Sequence, residues 1–214
     1  MTRLKKVAPL GPMDKWLRAR VFNKDIRDLA TPAMGAKLLL AFIAAGAVYV
    51  SIISAPGAIG ALAAGFALVM LAIAVIDQRS FIIPNWLNAI GFGLALVHAA
   101  AREPNMIAQA VAIAALRGLA LALFLFTVRA VYAQVRGRQG LGLGDVKLAF
   151  VAGAWLDWLM IPVAIELAAL AALSAYLWRR LVLGQSISPT NRIPFGLFFA
   201  PAIWICWLLE VRWF

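Results

Sequence analysis

Seven long apolar stretches divide the chain and limit what it can fold into. Most of them approach the roughly 20 residues that an α-helix needs to cross the hydrocarbon core of a bilayer. Charged residues make up only 14% of the chain, whereas soluble domains carry about 25%. The sequence therefore predicts an all-α fold, a polytopic membrane helix bundle with one helix for each stretch. The stretches cover about residues 36–54, 57–76, 86–101, 106–135, 146–160, 162–183 and 195–213.

The formal net charge of +11 comes from lysines and arginines that are unevenly distributed along the chain. Nine of the twenty lie in residues 1–37, and most of the others cluster on three later segments. Short loops rich in Lys and Arg stay in the cytoplasm, so we expect the amino terminus inside and, after seven crossings, the carboxyl terminus outside. A basic face that attracts anionic lipid explains the excess charge better than a nucleic-acid partner does, and we expect no nucleic acid.

Three segments are predicted along the chain. Residues 1–35 form a basic, interfacial head on the cytoplasmic side, because their charged region is too long for a signal peptide and no credible cleavage site follows. Residues 36–56 form an additional transmembrane helix, and residues 57–214 form one membrane domain. Two stretches of that domain, 86–101 and 146–160, are short, which suits helices enclosed within a bundle.

The nine acidic residues are few enough to be sorted by position. An ionisable group at membrane depth is a functional candidate by default, and this criterion leaves Asp77, Asp145 and Glu166. Glu166 lies on the outer half of its stretch, where we interpret it as a structural ion-pair partner of Arg117. The other six are interpreted as solvated or locally paired: Asp14, Asp25, Asp28, Glu103, Asp157 and Glu210.

Asp145 follows a glycine-rich turn, and Asp77 closes an apolar stretch. Each has a structural interpretation, since aspartate at a helix start accepts amide hydrogens and Asp77 could simply mark where the chain leaves the membrane. The glycine-rich turn, the nearby Lys147 and the presence of a matching second carboxylate favour function instead. Two facing carboxylates can share a proton and hold a water against a peptide carbonyl, which is the chemistry of an aspartic protease.

The chain holds one cysteine, Cys206, and one histidine, His98. A disulfide needs two cysteines, and structural zinc sites are built from four Cys or His ligands. Neither can form within one chain, so we expect no metal and no cofactor.

Three segments of the chain carry a family resemblance. Residues 77–85, which begin with Asp77 and end in Ile-Pro-Asn, resemble the first motif of type IV prepilin peptidases. Residues 140–148, which contain Gly-Leu-Gly-Asp-Val-Lys, resemble their second motif, and residues 192–196 are similar to a third segment of the Pro-Phe/Tyr-Gly type. The resemblance covers roughly residues 60–212, and all three segments occur in the family's order and spacing.

The resemblance implies a GxGD aspartic endopeptidase in residues 57–214. It implies removal of the short basic leader from prepilins and pseudopilins at the cytoplasmic face of the inner membrane, with Asp77 and Asp145 as the catalytic pair. The expected partners are these substrates and the lipid bilayer, with the pilus assembly machinery as a further candidate. The residues assigned to substrate binding are Gly142, Gly144, Lys147, Pro84, Asn85 and Pro194. For Lys147, Pro84 and Pro194, a structural role is the stronger interpretation.

The chain departs from the larger members that it resembles. Those members carry two Cys-x-x-Cys pairs that bind zinc and also methylate the mature pilin, whereas this chain has one cysteine. It therefore looks like the minimal subgroup associated with Flp-type or tight-adherence pili, and we expect no methyl transfer. Compared with that subgroup, it has an added basic head and one extra leading helix before about six core helices. Two alternatives stay open: a GxGD intramembrane protease acting on other substrates, and a non-catalytic transporter or assembly scaffold that uses the two aspartates to bind ions.

Overall fold

The computed structural model describes residues 34–137, 140–184 and 194–213. The predicted head at residues 1–35 lies almost entirely outside the described residues. Within them the chain forms helices joined by short connections, and no strand occurs there. The predicted all-α bundle is confirmed. The helices are α1 (Met34–Ser54), α2 (Ala58–Ser80), α3 (Asn85–Arg102), α4 (Ile107–Arg136), α5 (Leu143–Trp155), α6 (Met160–Leu181) and α7 (Phe195–Trp213).

Five of the helices are long and apolar enough to cross a membrane, namely α1, α2, α4, α6 and α7. The chain is therefore a multi-pass membrane protein. The other two, α3 and α5, correspond to the two short stretches in the sequence. With 13 residues, α5 is about 20 Å long, which is less than the roughly 30 Å of the hydrocarbon core.

Helix α5 is enclosed by its neighbours, because it packs against α3, α4 and α7. Eight of its 13 residues are buried, so this short helix is surrounded by protein. It approaches α4 closely at a pair of glycines: a Cβ placed on Gly153 would lie 2.9 Å from the Cα of Gly118. Small residues that allow helices to approach closely are typical of membrane bundles.

Trp155, at the end of α5, links three helices. Its ring stacks on Phe66 of α2, with the ring centroids 3.7 Å apart, and on His98 of α3, with the centroids 4.3 Å apart. Helix α7 completes the core by packing against α2, α5 and α6. All the contacts described here lie within the compact unit of residues 44–214. Of the unit formed by residues 1–43, the structure describes only the largely exposed start of α1.

The prediction for the start of α5 was wrong in a way that matters for the site. The helix begins at Leu143 rather than near residue 146, and it ends at Trp155 rather than near residue 160. Leu156 takes an extended conformation that ends the helix. Asp145 therefore lies inside the first turn of α5 instead of preceding it.

The interpretation of Glu210 as a solvated residue was also wrong. Glu210 is 2% exposed, and its carboxylate accepts hydrogen bonds from Arg102 Nη1 at 2.6 Å and from the backbone N–H of Asp157 at 3.2 Å. Arg117 pairs with Asp157 rather than with Glu166, which is exposed on α6. A buried carboxylate needs such partners, because an unpaired charge is costly to remove from water.

Candidate active site

Asp77 and Asp145 line the same cavity, although 68 positions separate them in the sequence. Asp77 lies in the last turn of α2, and Asp145 lies in the first turn of α5. The cavity has a volume of about 290 Å³. It is located where α2 ends and where α3 and α5 begin. The other residues that line it are Phe81, Ile82, Ile83, Asn85, Gly142, Leu143, Gly144 and Lys147.

Asp77 is held by the start of α7. Its side chain is 5% exposed, and Oδ2 accepts a hydrogen bond from the backbone N–H of Leu197 at 3.0 Å. Free N–H groups at a helix start favour a negative charge. A Cβ on Gly196 would lie 2.9 Å from the same oxygen, so only glycine leaves room for the carboxylate here. The third resembling segment thus reaches the site through its backbone.

Asp145 is held by the start of its own helix. It is the third residue of α5, and its Oδ2 accepts a hydrogen bond from the backbone N–H of Gly142 at 3.2 Å. The helix-start interpretation of Asp145 is therefore correct in part, because the side chain supports the first turn and also lines the cavity. The loop before α5 is fixed as well, because Arg129 Nε of α4 donates to the carbonyl of Leu141 at 3.0 Å.

The two carboxylates line one cavity of about 290 Å³. When two carboxylates share a site, ionising both is unfavourable, and the pair tends to hold one proton. A pair in that state contains one group that can accept a proton from water and one that can donate a hydrogen bond to a carbonyl oxygen. The geometry therefore suits acid–base hydrolysis.

Ile83 packs against both glycine-containing segments beside the cavity. It is buried, and a Cβ on Gly144 would lie 3.2 Å from its Cβ, while one on Gly196 would lie 2.8 Å from its Cδ1. The three segments that carry the resemblance therefore meet around one side chain. Both glycines allow close packing against Ile83, and the assignment of Gly142 and Gly144 to substrate binding stays a prediction.

The remaining predicted substrate-binding residues fall into two groups. Lys147 Nζ donates to Asn85 Oδ1 at 2.8 Å, and both residues line the cavity, so they join α5 to α3 at its wall. Pro84 and Pro194 are not among the residues that line the cavity. Pro84 precedes the first residue of α3, and Pro194 precedes the first residue of α7.

Two positions of the candidate site escaped the sequence analysis, namely Gly196 and the backbone N–H of Leu197, both of which contact Asp77. Gly196 belongs to the third resembling segment, which was the available signal, but a backbone donor leaves no mark on a side-chain pattern. Among the described residues, no group of three or more His, Cys, Asp or Glu side chains is arranged to hold a metal ion.

The helices and the shared acidic cavity define a multi-pass membrane protein with a candidate aspartic peptidase site. Residues 64–177, which include both aspartates, match the type IV leader peptidase family. The chain belongs to that family.

Three relatives show how far the similarity extends. The chain is 31% identical over 181 residues to the prepilin leader peptidase/N-methyltransferase of Burkholderia pseudomallei, a match that covers 81% of this chain and 55% of the relative. It is 38% identical over 87 residues to the protein of the same name from Pseudomonas aeruginosa, covering 40% of this chain and 29% of the relative. It is 41% identical over 71 residues to the leader peptidase HopD of Escherichia coli, covering 33% and 45%.

The chain thus spans about half or less of the length of these relatives. No solved structure matches the chain significantly.

Proposed function

We propose that this chain is a membrane-embedded aspartic endopeptidase that removes the leader peptide from type IV, Flp-like prepilins and pseudopilins. The observation that carries this function is the meeting of Asp77 and Asp145 in one cavity at the end of the bundle. Membership of the leader peptidase family and the names of the relatives support the substrate class. A prepilin joins a basic leader to an apolar helix, so its cleavage site lies at a membrane surface.

In the proposed reaction, a water bound between the two aspartates attacks the carbonyl carbon of the scissile peptide. One carboxylate takes a proton from the water while the other, protonated, donates its proton to the carbonyl oxygen. The carbon–nitrogen bond then breaks, and a proton passes to the leaving amine. Asp77 and Asp145 titrate as a coupled unit, so the base is assigned to the pair. No covalent intermediate is required.

We place the site at the cytoplasmic face of the inner membrane, with the amino terminus inside. The last turns of α2, α4 and α6 carry Arg79, Arg136, Arg179 and Arg180, which agrees with the retention of positive charge in the cytoplasm. At the opposite end, Arg102 and Arg117 are ion-paired with Glu210 and Asp157. The proposal covers peptide-bond cleavage alone, since the one cysteine of this chain cannot form the two Cys-x-x-Cys pairs of the larger members.

The test is cleavage of a purified Flp-type prepilin by membranes that contain the chain, with a secreted protein bearing an ordinary signal peptide as the control substrate. We expect cleavage of the prepilin alone. Asp77→Asn and Asp145→Asn should each abolish cleavage, because each removes one member of the proton-sharing pair, while membrane insertion is retained. Substantial cleavage by either variant at normal expression would contradict the proposed catalytic role of the two aspartates.

A further inference from the structure

A second cavity lies beside the first one and opens between α3, α4 and α5. We call it the α3–α5 groove. Its volume is about 450 Å³, and apart from Asn85, Asn88 and Lys147 its lining is apolar, with Ala89, Phe92, Ala122, Val146, Phe150 and Val151. Asn85 and Lys147 also line the cavity that holds the two aspartates. The groove and the aspartate cavity are therefore neighbours, and the hydrogen-bonded pair of Lys147 and Asn85 lines both of them.

Asn88 is the unusual residue of the groove. It is 7% exposed, and neither its Nδ2 nor its Oδ1 has a hydrogen-bond partner within the part of the chain that the structure describes. A buried polar group without a partner costs about 1–3 kcal/mol, and one in a native protein calls for an explanation. The amide of Asn88 offers both donors and an acceptor. This set matches the N–H and C=O groups of an extended peptide.

Resting on the proposed function, we propose that the α3–α5 groove binds the apolar residues that follow the cleaved bond of the substrate, and that Asn88 pairs with the substrate backbone there. A helical substrate must unwind to present its peptide bond to two side chains, and unwinding leaves its backbone N–H and C=O groups without partners. Such groups are costly in an apolar environment. Asn88 supplies the missing partner, and the substrate in turn satisfies Asn88.

The charge of Lys147 indicates which side of the substrate the groove takes. Lys147 lines both the groove and the aspartate cavity, and a cation there disfavours the basic leader. The apolar lining suits the membrane-spanning segment that follows the leader. Asn88 is thus a positioning and specificity-determining residue, while the chemistry stays with the aspartates.

The first test is the variant Asn88→Leu, which keeps the size of the side chain and removes its polar atoms. We expect KM for the prepilin to rise about tenfold with kcat little changed, because a hydrogen bond made in both the bound substrate and the transition state affects binding alone. The thermal midpoint of the purified protein in detergent should stay the same or rise, since an unsatisfied amide is removed. A fall in that midpoint with an unchanged KM would show a structural role and overturn the proposal.

The second test fills the groove directly and does not depend on the folding of Asn88→Leu. Ala122 of α4 lines the groove, whereas Ala120, two residues earlier, is exposed and does not. Ala122→Phe should raise KM for the prepilin, and the matched control Ala120→Phe should not. A wild-type KM for both Asn88→Leu and Ala122→Phe would overturn the proposal that the groove binds substrate, while the proposed function would stand. The same result is expected if lipid occupies the groove. No cleavage by the unaltered chain would overturn the proposed function, and this proposal with it.

The side of the substrate is tested by photo-crosslinking to the Asp77→Asn variant, which should hold the prepilin uncut. A benzophenone amino acid placed just after the cleavage site should crosslink to α3, α4 or α5, as identified by mass spectrometry. A crosslink to these helices from the leader, with none from the position after the site, would contradict the assignment.

Discussion

Each carboxylate of the candidate pair accepts a hydrogen bond from a backbone N–H, and the two donors come from different helix starts. Leu197 at the start of α7 holds Asp77, and Gly142 at the start of α5 holds Asp145. Backbone donors position a carboxylate without adding a second titratable group to the site. These donors hold both carboxylates at one cavity, which shared-proton chemistry requires.

At this scale the sequence selected the candidate pair of carboxylates and missed the groups that hold them in place. Asp77 and Asp145 could be selected because the chain has only nine acidic residues and few of them lie at membrane depth. The role of Gly196 could not be predicted, because it depends on a contact with a residue 119 positions earlier. The same holds for Glu210, whose partner Arg102 lies 108 positions earlier in the chain.

Gly196 provides a test of how tightly Asp77 is positioned. A Cβ at this residue would lie 2.9 Å from Asp77 Oδ2 and 2.8 Å from Ile83 Cδ1, so Gly196→Ala should displace the carboxylate. We expect kcat for prepilin cleavage to fall by roughly 100-fold, since a misplacement of about 1 Å can cost that much. Activity is measured on purified protein with the thermal midpoint as the control for folding.

The matched control is Gly93→Ala on α3, where a Cβ would meet nothing within 4 Å. Alanine favours a helix over glycine by about 1 kcal/mol, so this variant should keep its activity and its stability. Equal activity in Gly196→Ala and Gly93→Ala would show that Asp77 does not need the space at Gly196.

At the scale of the helices, α5 is the element that organises the bundle. It is too short to cross a bilayer easily, yet its burial against α3, α4 and α7 carries Asp145 to the end of α2. The sequence indicated a short, enclosed helix from the length of its apolar stretch. The start at Leu143 could not be predicted, because Gly142 and Gly144 are residue types typical of loops. In the structure Gly142 immediately precedes the helix, and Gly144 lies inside it.

The opposite end of the bundle is closed by charge pairs, and these should contribute to stability. Arg102 at the end of α3 donates to Glu210 near the end of α7 at 2.6 Å, and Glu210 is buried. Removing one partner of a buried ion pair costs about 3–5 kcal/mol, because the other charge is left uncompensated. Since the side chain of Arg102 is 41% exposed, solvent screening should place Arg102→Ala at or below the lower end of that range.

The measurement for Arg102→Ala is thermal or denaturant unfolding in detergent. Arg212→Ala is the control, since Arg212 is exposed in the last turn of α7, and its loss should change stability by less than about 0.5 kcal/mol. Prepilin cleavage by folded Arg102→Ala should be retained, because the pair lies at the opposite end of the bundle from the aspartates. Equal stability of the two variants would show that the ion pair of Arg102 and Glu210 does not stabilise the fold.

For the whole molecule, the class of fold and the number of helices within the described residues could be predicted, because apolar stretches near the length of a bilayer leave few alternatives. Five helices meet the length and composition of a membrane span. The relative arrangement of the helices could not be predicted from apolar periodicity, since residues facing lipid and residues facing protein are equally apolar. The glycine contact between Gly118 and Gly153 and the stacking of Trp155 on Phe66 supply that information only in the folded bundle.

The orientation of the whole bundle is the condition on which the proposed activity depends. If the seven helices alternate across the membrane with positive charge retained inside, the aspartate cavity faces the cytoplasm, where a prepilin keeps its basic leader. Single cysteines test this in a Cys206→Ser background at exposed positions: Ser80 at the end of α2, Gln134 near the end of α4, and Asn105 between α3 and α4. A membrane-impermeant maleimide applied to intact cells should label Asn105→Cys and spare the other two, which should react only after permeabilisation. Labelling of Ser80→Cys and Gln134→Cys from outside, with Asn105→Cys protected, would invert the bundle and put the site out of reach of the leader.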